Sequence, residues 1–154
     1  LSIGVQSFDN SRLKRLGRLQ SKVACVIGDG EFNEGTNFEA LLFAAHQKLD
    51  NLTLLIDANQ FQAMGSTREV LELEPLPQKL ASFGFAVQEV DGHDLAAVKA
   101  ALRVPHPGQP LGIVARTIKG KGVSFMEGDN RWHYQRMSPD DHAAALAELG
   151  GSHA

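Results

Sequence analysis

The sequence predicts a three-layer α/β/α fold in which helices cover both faces of a mainly parallel sheet. Short apolar runs typical of buried strands alternate with longer segments whose apolar residues recur at helical spacing. Two of these runs, 23–27 and 52–56, are followed at once by polar residues that include Asp29 and Asn59. With 154 residues, 43% of them hydrophobic, the chain is long enough for one domain with a substantial core.

The first half of the chain is predicted to contain two helices and two strands. Residues 11–20 carry leucines at three-residue spacing, which favours a helix before the strand 23–27. The clearest helical pattern spans 34–49, where apolar residues lie at i, i+3, i+4, i+7 and i+11 from Phe38. A second strand runs from Leu52 to Asp57. The polar residues 58–75 predict a long irregular loop of the kind that often carries function.

The second half alternates helix and strand in the same way. The predicted elements are a helix from Pro75 to Phe83, a strand over 85–90, a helix to Arg103 with Asp94 as its N-cap, a strand over 111–115, a glycine-rich loop over 119–132 and a terminal helix starting at Ser138-Pro139. The order β-α-β-α-β-α-β is typical of strands that all run in the same direction.

Composition excludes several classes of function. The net charge is −3, so a nucleic-acid-binding surface is not indicated. No apolar stretch approaches the roughly 18 residues that span a bilayer. The single cysteine, Cys25, lies in an apolar run and is interpreted as a small buried hydrophobe rather than a nucleophile. One cysteine cannot form an internal disulfide, and this favours a cytoplasmic protein.

Asp29 and Asn59 are the most informative polar residues because each follows a predicted strand. The carboxyl ends of parallel strands face one crevice, where α/β folds bind ligands. A carboxylate and an amide oxygen meeting there suit a hard cation that also binds phosphate oxygens. The common phosphate loops fit less well, since Asn33 replaces the third glycine of a dinucleotide fingerprint and Thr36 replaces the lysine of a Walker A loop.

A structural interpretation of Gly28-Asp29-Gly30 stays open from these residues alone. In it the segment is a strand-to-helix turn in which Gly28 and Gly30 supply unusual backbone angles. Asp29 is then solvated or caps the following helix.

Several different short motifs follow one another along the chain between Val23 and His133. They are Gly28-Asp29-Gly30-Glu31, Glu34-Gly35, Glu39-Ala40, Leu49-Asp50-Asn51-Leu52, Asp57-x-Asn59, Val90-Asp91-Gly92-His93-Asp94, Thr117-Ile118-Lys119-Gly120-Lys121-Gly122 and Trp132-His133. In this order and at these spacings they resemble the thiamine diphosphate-binding half, or PP-type domain, of a transketolase. The resemblance implies the thiamine-diphosphate-binding fold.

The resemblance implies thiamine diphosphate and Mg²⁺ (or Ca²⁺) as cofactors. The metal ligands would be the side chains of Asp29 and Asn59 and the backbone carbonyl of Phe61. The diphosphate and a water would complete a six-oxygen shell. The full set of implied cofactor-binding residues is Gly28, Asp29, Gly30, Glu31, Asn59, Phe61, Lys119 and His133. Within it, Gly30 would allow its backbone N–H to approach the diphosphate closely.

The resemblance also implies three catalytic residues. His133 would reach the substrate region and exchange protons with a sugar hydroxyl, since imidazole titrates near neutrality. Tyr134 follows it where the family often has glycine. Glu34 and Glu39 match acidic residues at the family's subunit interface, although a five-residue separation turns them about 140° apart on one helix. The other interpretation is a charge at the helix N-terminus for Glu34 and a solvated surface position for Glu39. The remaining histidines, His46, His93, His106 and His142, are assigned to surface or turn structure.

The implied reaction is transfer of a two-carbon ketol unit from a ketose (phosphate) to an aldose acceptor. In the family, a second domain supplies the glutamate that activates the aminopyrimidine ring, and nothing here resembles that domain. We therefore expect the N-terminal subunit of a split transketolase, paired with a pyrimidine-domain subunit and with a second copy of itself as a heterotetramer. Residues 1–154 are expected to form one domain that lacks its N-terminal part, since only 1–5 resemble the end of the stretch preceding Gly-Asp-Gly.

Two alternatives remain. One is the α-type subunit of another thiamine diphosphate enzyme, such as an oxo-acid dehydrogenase or an acyloin-forming enzyme. The other is a non-catalytic diphosphate-binding relative, against which the intact metal-binding triad argues.

Overall fold

The computed structural model describes residues 22–150, and the predicted helix over 11–20 lies outside them, as do residues 1–5. In chain order the elements are β1 (Val23–Gly28), α1 (Asp29–Phe32), α2 (Gly35–His46), β2 (Leu52–Ala58), β3 (Phe61–Gln62), β4 (Gly65–Ser66), α3 (Thr67–Val70), α4 (Leu76–Ser82), β5 (Ala86–Asp91), α5 (Leu95–Ala101), β6 (Leu111–Arg116), a 3₁₀ helix (Asn130–His133) and α6 (Pro139–Glu148).

The main sheet has four strands in the order β1-β2-β6-β5, and every neighbouring pair is parallel. The register places Gly28 opposite Asp57, and Asp57 opposite Ala115. The last residues of β1, β2 and β6 therefore lie side by side at one edge of the sheet. The predicted parallel α/β sheet is confirmed.

The buried residues form two clusters on opposite faces of this sheet. Leu54 and Ile56 of β2 belong to a cluster that also contains residues of α2 and α4, whereas Leu55 packs against a second cluster that contains Ala101 of α5. This division follows from the pleat of a strand, which points successive side chains to opposite faces. Helices thus pack on both faces, as the three-layer prediction requires.

Two predictions about local structure were wrong. The helix α2 ends at His46 instead of Leu49, since Lys48 adopts a left-handed φ of 52° and Leu49 turns back to donate its N–H to the carbonyl of Ala44 at 3.1 Å. The predicted irregular loop over 58–75 contains the β3–β4 hairpin and the short helix α3. The longest helix described, α2, has 12 residues, and no helix within 22–150 is long and apolar enough to cross a membrane.

Cys25 is half-buried in β1 and packs against the first cluster. Burial raises the pKa of its thiol, and the nearby negative charge of Glu31 raises it further. A raised pKa lowers the fraction of nucleophilic thiolate, so the environment favours a packing role for this residue.

Candidate functional site

The candidate site lies where β1, β2 and β6 end. Asp29 directly follows β1, Asn59 directly follows β2, and Thr117 directly follows β6. Because these three neighbouring strands are parallel, their carboxyl ends meet at one edge of the sheet, where ligands of α/β folds bind.

Asp29 is bonded to the loop that carries Asn59. The residue is 3% exposed, and its Oδ2 atom accepts a hydrogen bond from the backbone N–H of Gln60 at 2.6 Å. Its Oδ1 atom accepts from the N–H of Gly30 at 2.8 Å. The amide oxygen of Asn59 accepts from the N–H of Phe61 at 2.9 Å. The structure thus brings together the loops that carry the three predicted metal ligands.

The carboxyl of Asp29 is buried and lies near a second acidic group, Asp57. Burial raises the pKa of the Asp29 carboxyl to about 6, and the negative charge of Asp57 adds to that effect, while the bonds from Gln60 and Gly30 oppose it. Within residues 22–150, no lysine or arginine forms an ion pair with Asp29 or Asp57. A divalent cation would supply the counter-charge that this buried carboxylate lacks.

The oxygen donors at this edge fit a hard divalent cation. Each carboxylate oxygen of Asp29 and the amide oxygen of Asn59 accepts one hydrogen bond and retains a further lone pair. Residues 22–150 contain no cluster of three histidine, cysteine or acidic side chains that could hold a metal. A cation here therefore needs main-chain and ligand oxygens to complete its shell, which suits a phosphate-bearing cofactor.

The loop between Asn59 and Phe61 has a strained backbone. Gln60 adopts a φ of 67°, which is uncommon for a residue with a side chain. Its N–H is bonded to Asp29, and its carbonyl accepts from the N–H of Thr67 at 2.9 Å. These two hydrogen bonds hold the backbone of Gln60 in place, and they thereby fix the positions of its neighbours Asn59 and Phe61.

The structure also explains why glycine stands at position 30. A Cβ atom at Gly30 would lie 2.6 Å from the Cβ of Gln62, so a side chain cannot fit while α1 packs against β3. Gly28 has ordinary extended angles (φ −81°, ψ 161°) and open space where a Cβ would stand. The interpretation in which both glycines supply unusual angles and Asp29 is solvated or caps a helix is wrong, because Asp29 is buried and makes no side-chain cap bond. Approach of the Gly30 N–H to a diphosphate remains a prediction.

Asp57 and Thr117 extend the site in a way that was not predicted. The hydroxyl of Thr117 donates a short hydrogen bond to Oδ1 of Asp57, and the side-chain amide of Asn59 lies 3.5 Å from Oδ2. The N–H of Thr117 also points to the carbonyl of Ala58 at 3.4 Å. Asp57 thus connects the end of β6 to the predicted ligand Asn59. The Asp57-x-Asn59 spacing was the only sequence signal for this link.

Lys119 lies three residues after the end of β6, in a compact loop. Its carbonyl accepts from the N–H of Gly128 at 2.9 Å, which closes the loop over 119–128. Gly120 has a φ of 74°, and a Cβ there would lie 2.5 Å from the carbonyl oxygen of Met126. The loop is therefore tightly folded directly beyond the end of β6.

His133 is exposed at the end of the 3₁₀ helix, with its ring against that of Tyr134 at a centroid distance of 4.9 Å. The amide of Asn130 donates to the carbonyl of Gln62 at 3.0 Å and fixes this helix to β3. No hydrogen bond described within 22–150 links the side chains of Lys119 or His133 to Asp29 or Asn59.

The three predicted glutamates differ in their positions. Glu31 lies half-buried in α1, close to Asp29 in the chain. Glu34 is the exposed N-cap residue of α2, and Glu39 is exposed on the same helix. Within 22–150, no hydrogen bond or ion pair described links the side chain of Glu34 or Glu39 to Asp29. The role of these two glutamates at a subunit interface therefore remains a prediction.

Comparison with known proteins identifies a family. Residues 12–153 match the family described as transketolase, thiamine diphosphate binding domain. An apulose-4-phosphate transketolase subunit from Actinobacillus succinogenes is 42% identical over 129 residues, which cover 83% of this chain and 47% of that protein. The 6-deoxy-6-sulfo-D-fructose transketolase subunit SqwG of a Clostridium species is 40% identical over 139 residues, which cover 88% of this chain and 50% of that protein. The chain thus spans about half the length of these curated relatives.

Solved structures agree with this assignment. The transketolase of Campylobacter jejuni superposes with a TM-score of 0.78 at 28% identity, over 87% of this chain and 21% of the transketolase. The transketolase from Leishmania mexicana gives a TM-score of 0.77 at 32% identity, over 84% of this chain and 20% of that transketolase. The predicted fold and the predicted family are both confirmed.

Proposed function

The chain belongs to the transketolase family, as a thiamine diphosphate-binding domain, and on that premise we propose that it is the cofactor-binding subunit of a transketolase built from two kinds of chain. The observation that carries the proposal is the buried carboxylate of Asp29, which is bonded to the Asn59 loop and lacks a cationic partner in the described residues. The relatives named as transketolase subunits support the split architecture.

We propose that Asp29, Asn59 and the carbonyl of Phe61 bind Mg²⁺, or Ca²⁺ in its place. The ion would neutralise Asp29 and hold the diphosphate of thiamine diphosphate by its oxygens. The raised pKa of Asp29 and the oxygen donors of the Asn59 loop support this assignment. The other proposed cofactor-binding residues are Gly28, Gly30, Glu31, Lys119 and His133.

Thiamine diphosphate, when bound, supplies the nucleophilic carbon that carries a two-carbon ketol unit from a ketose to an aldose. The protein's own part is to hold the metal, orient the cofactor and move protons. His133 is proposed to exchange a proton with a sugar hydroxyl, and its exposure leaves the imidazole accessible to a substrate. The exposed Glu34 and Glu39 are proposed to act where a second subunit packs against α2.

The proposed assembly contains two copies of this chain and two copies of a subunit with the pyrimidine domain. Residues 1–154 are proposed to form one PP-type domain, and the complete enzyme is proposed to work in the cytoplasm. The names of the relatives support the partner subunit, because the Actinobacillus and Clostridium proteins are each named as one subunit of a transketolase.

The experiment is a donor profile of the assembled enzyme. The chain is co-expressed with the pyrimidine-domain subunit from the same genome, and the purified pair is assayed with thiamine diphosphate and Mg²⁺. We expect transfer of a two-carbon unit from a ketose phosphate such as xylulose 5-phosphate to an aldose acceptor, dependent on both cofactors. Decarboxylation of pyruvate without ketol transfer would place the chain among oxo-acid enzymes instead. Cofactor binding without turnover of any donor would indicate a non-catalytic relative.

A further inference from the structure

The turn that follows β5 is bonded to the segment that follows β6. The N–H of Gly92 donates to the carbonyl of Arg116 at 2.7 Å. The N–H of Ile118 donates to Nε2 of His93 at 2.8 Å. The N–H of His93 itself donates to the carboxylate of Asp91 at 2.8 Å, which fixes the turn that carries the imidazole.

The packing between turn and segment is close. A Cβ atom at Gly92 would lie 2.4 Å from Cγ2 of Thr117 and 3.2 Å from the Cβ of Ala115. The hydroxyl of Thr117 is bonded to Asp57, which lies beside Asn59. The segment 116–118 is therefore held between the His93 turn and the candidate site, immediately before Lys119.

We infer that His93 is a positioning residue, whose neutral imidazole fixes Ile118 and thereby aims Lys119 at the cofactor diphosphate. The inference rests on the proposed function, in which Lys119 approaches that diphosphate. Because Nε2 accepts the N–H of Ile118, it carries no proton, so the proton of the neutral ring is on Nδ1.

The acidic groups around this imidazole are already engaged elsewhere. Asp91 accepts from the N–H of His93, and Asp94 accepts from the N–H groups of Ala96 and Ala97 as the N-cap of α5. From the facing loop, Glu127 accepts from the N–H of Gly122 at 2.9 Å and lies 3.5 Å from Lys121.

The charged group at the end of β6 is also paired. Arg116 forms ion pairs with Glu74 and Glu89. The bond from the Gly122 N–H is the main cause that lowers the pKa of Glu127, and the charge of Lys121 lowers it further.

The test compares His93→Gln with His93→Ala. The amide oxygen of glutamine reaches about as far as Nε2, accepts the same bond and does not titrate, whereas alanine removes the acceptor. His46→Ala is the matched control, because His46 is an exposed histidine at the end of α2. Two measurements are made on the full chain with Mg²⁺, namely hydrogen exchange of the Ile118 amide and the dissociation constant of thiamine diphosphate.

We expect His93→Ala to speed exchange of the Ile118 amide and to weaken thiamine diphosphate binding about fivefold at pH 7.5, the change expected for one lost hydrogen bond. His93→Gln and His46→Ala should match the wild-type chain in both measurements. In the assembled enzyme, His93→Ala should raise the KM for thiamine diphosphate and leave kcat at saturating cofactor unchanged.

The glutamine variant separates positioning through the hydrogen bond from a purely structural role. Faster Ile118 exchange with unchanged cofactor affinity in His93→Ala, or a loss of affinity in His93→Gln as large as that in His93→Ala, would overturn the inference alone. Failure of the wild-type chain to bind the cofactor would instead overturn the proposed function.

Discussion

The carboxylate of Asp29 accepts a hydrogen bond of 2.6 Å from the backbone N–H of Gln60, 31 residues later in the chain. This bond joins the ends of β1 and β2, and it holds Gln60 at a left-handed φ of 67° between Asn59 and Phe61. A carboxylate that is 3% exposed is held here without a cationic side chain in the described residues. Burying this carboxylate without a cationic partner costs free energy in the metal-free protein, and a bound cation would offset that cost.

The first prediction concerns pH and stability in the absence of metal. The pKa of Asp29 is raised from 3.8 to about 6 by burial, so the folded protein holds a proton that the unfolded chain has lost between these values. Stability relative to Asp29→Asn should therefore fall as the pH rises from about 4 to 6, by about 2 kcal/mol. Urea unfolding in EDTA measures it, with Asp140→Asn, an exposed position, as the control. A difference between wild type and Asp29→Asn that does not change with pH would contradict the burial argument.

The second prediction compares two glycines of one motif. Gly30→Ala places a Cβ 2.6 Å from the Cβ of Gln62 and should reduce the free energy of unfolding by about 1–3 kcal/mol. Gly28→Ala has open space and ordinary backbone angles, and should leave stability nearly unchanged. Chemical denaturation of both variants measures the contrast. Equal losses in the two variants would show that the contact between α1 and β3 is not what requires glycine at position 30.

The third prediction concerns the bond between Thr117 and Asp57. Thr117→Val keeps the shape of the side chain but removes the hydroxyl that Asp57 accepts from, and should cost about 1–2 kcal/mol of unfolding free energy. Because Asp57 lies beside Asn59, Mg²⁺-dependent binding of thiamine diphosphate should weaken as well. Thr117→Ser retains the hydroxyl and is expected to restore both properties. Wild-type behaviour of Thr117→Val together with a loss in Thr117→Ser would mean that packing of the Thr117 methyl, and not the hydrogen bond, is what matters.

The fourth prediction concerns the anchor of the helix that carries His133. Asn130 donates to the carbonyl of Gln62, while its own side-chain oxygen is buried without a partner. Removing the side chain in Asn130→Ala should therefore change global stability by less than about 1 kcal/mol. In the assembled enzyme it should lower kcat about tenfold, because His133 loses its fixed position. Gln135→Ala, at an exposed neighbouring position, should leave kcat unchanged. An unchanged kcat in Asn130→Ala would show that the hydrogen bond from Asn130 to Gln62 does not contribute to catalysis.

The strands and the two central polar residues could be predicted because their signals are local. Apolar runs before Asp29 and Asn59 predict strand ends, and the parallel order of strands places those ends together. The β3–β4 hairpin could not be predicted, because its paired segments are two residues each and lie in a polar stretch without alternation. The end of α2 could not be predicted, because the left-handed residue that follows the helix is Lys48 and not the glycine that usually marks such a position.

The contacts that were missed join residues far apart in the chain. Thr117 and Asp57 are 60 positions apart, and Gly30 meets Gln62 across 32 positions of sequence. A single sequence contains no periodicity that reports such pairs. His93 was assigned to turn structure, and it does lie in a turn, but its bond to Ile118 depends on how two loops pack.

The central claim, that Asp29 and the Asn59 loop bind one divalent cation together with the diphosphate, is tested most directly by calorimetric titration of thiamine diphosphate. The titration is made into the wild-type chain, Asp29→Ala, Asn59→Ala and the control Asp140→Asn, each with Mg²⁺ and each shown to be folded by circular dichroism. We predict Mg²⁺-dependent binding to the wild-type chain and to Asp140→Asn, and none to Asp29→Ala or Asn59→Ala. Binding of the cofactor to folded Asp29→Ala with wild-type affinity would contradict the account.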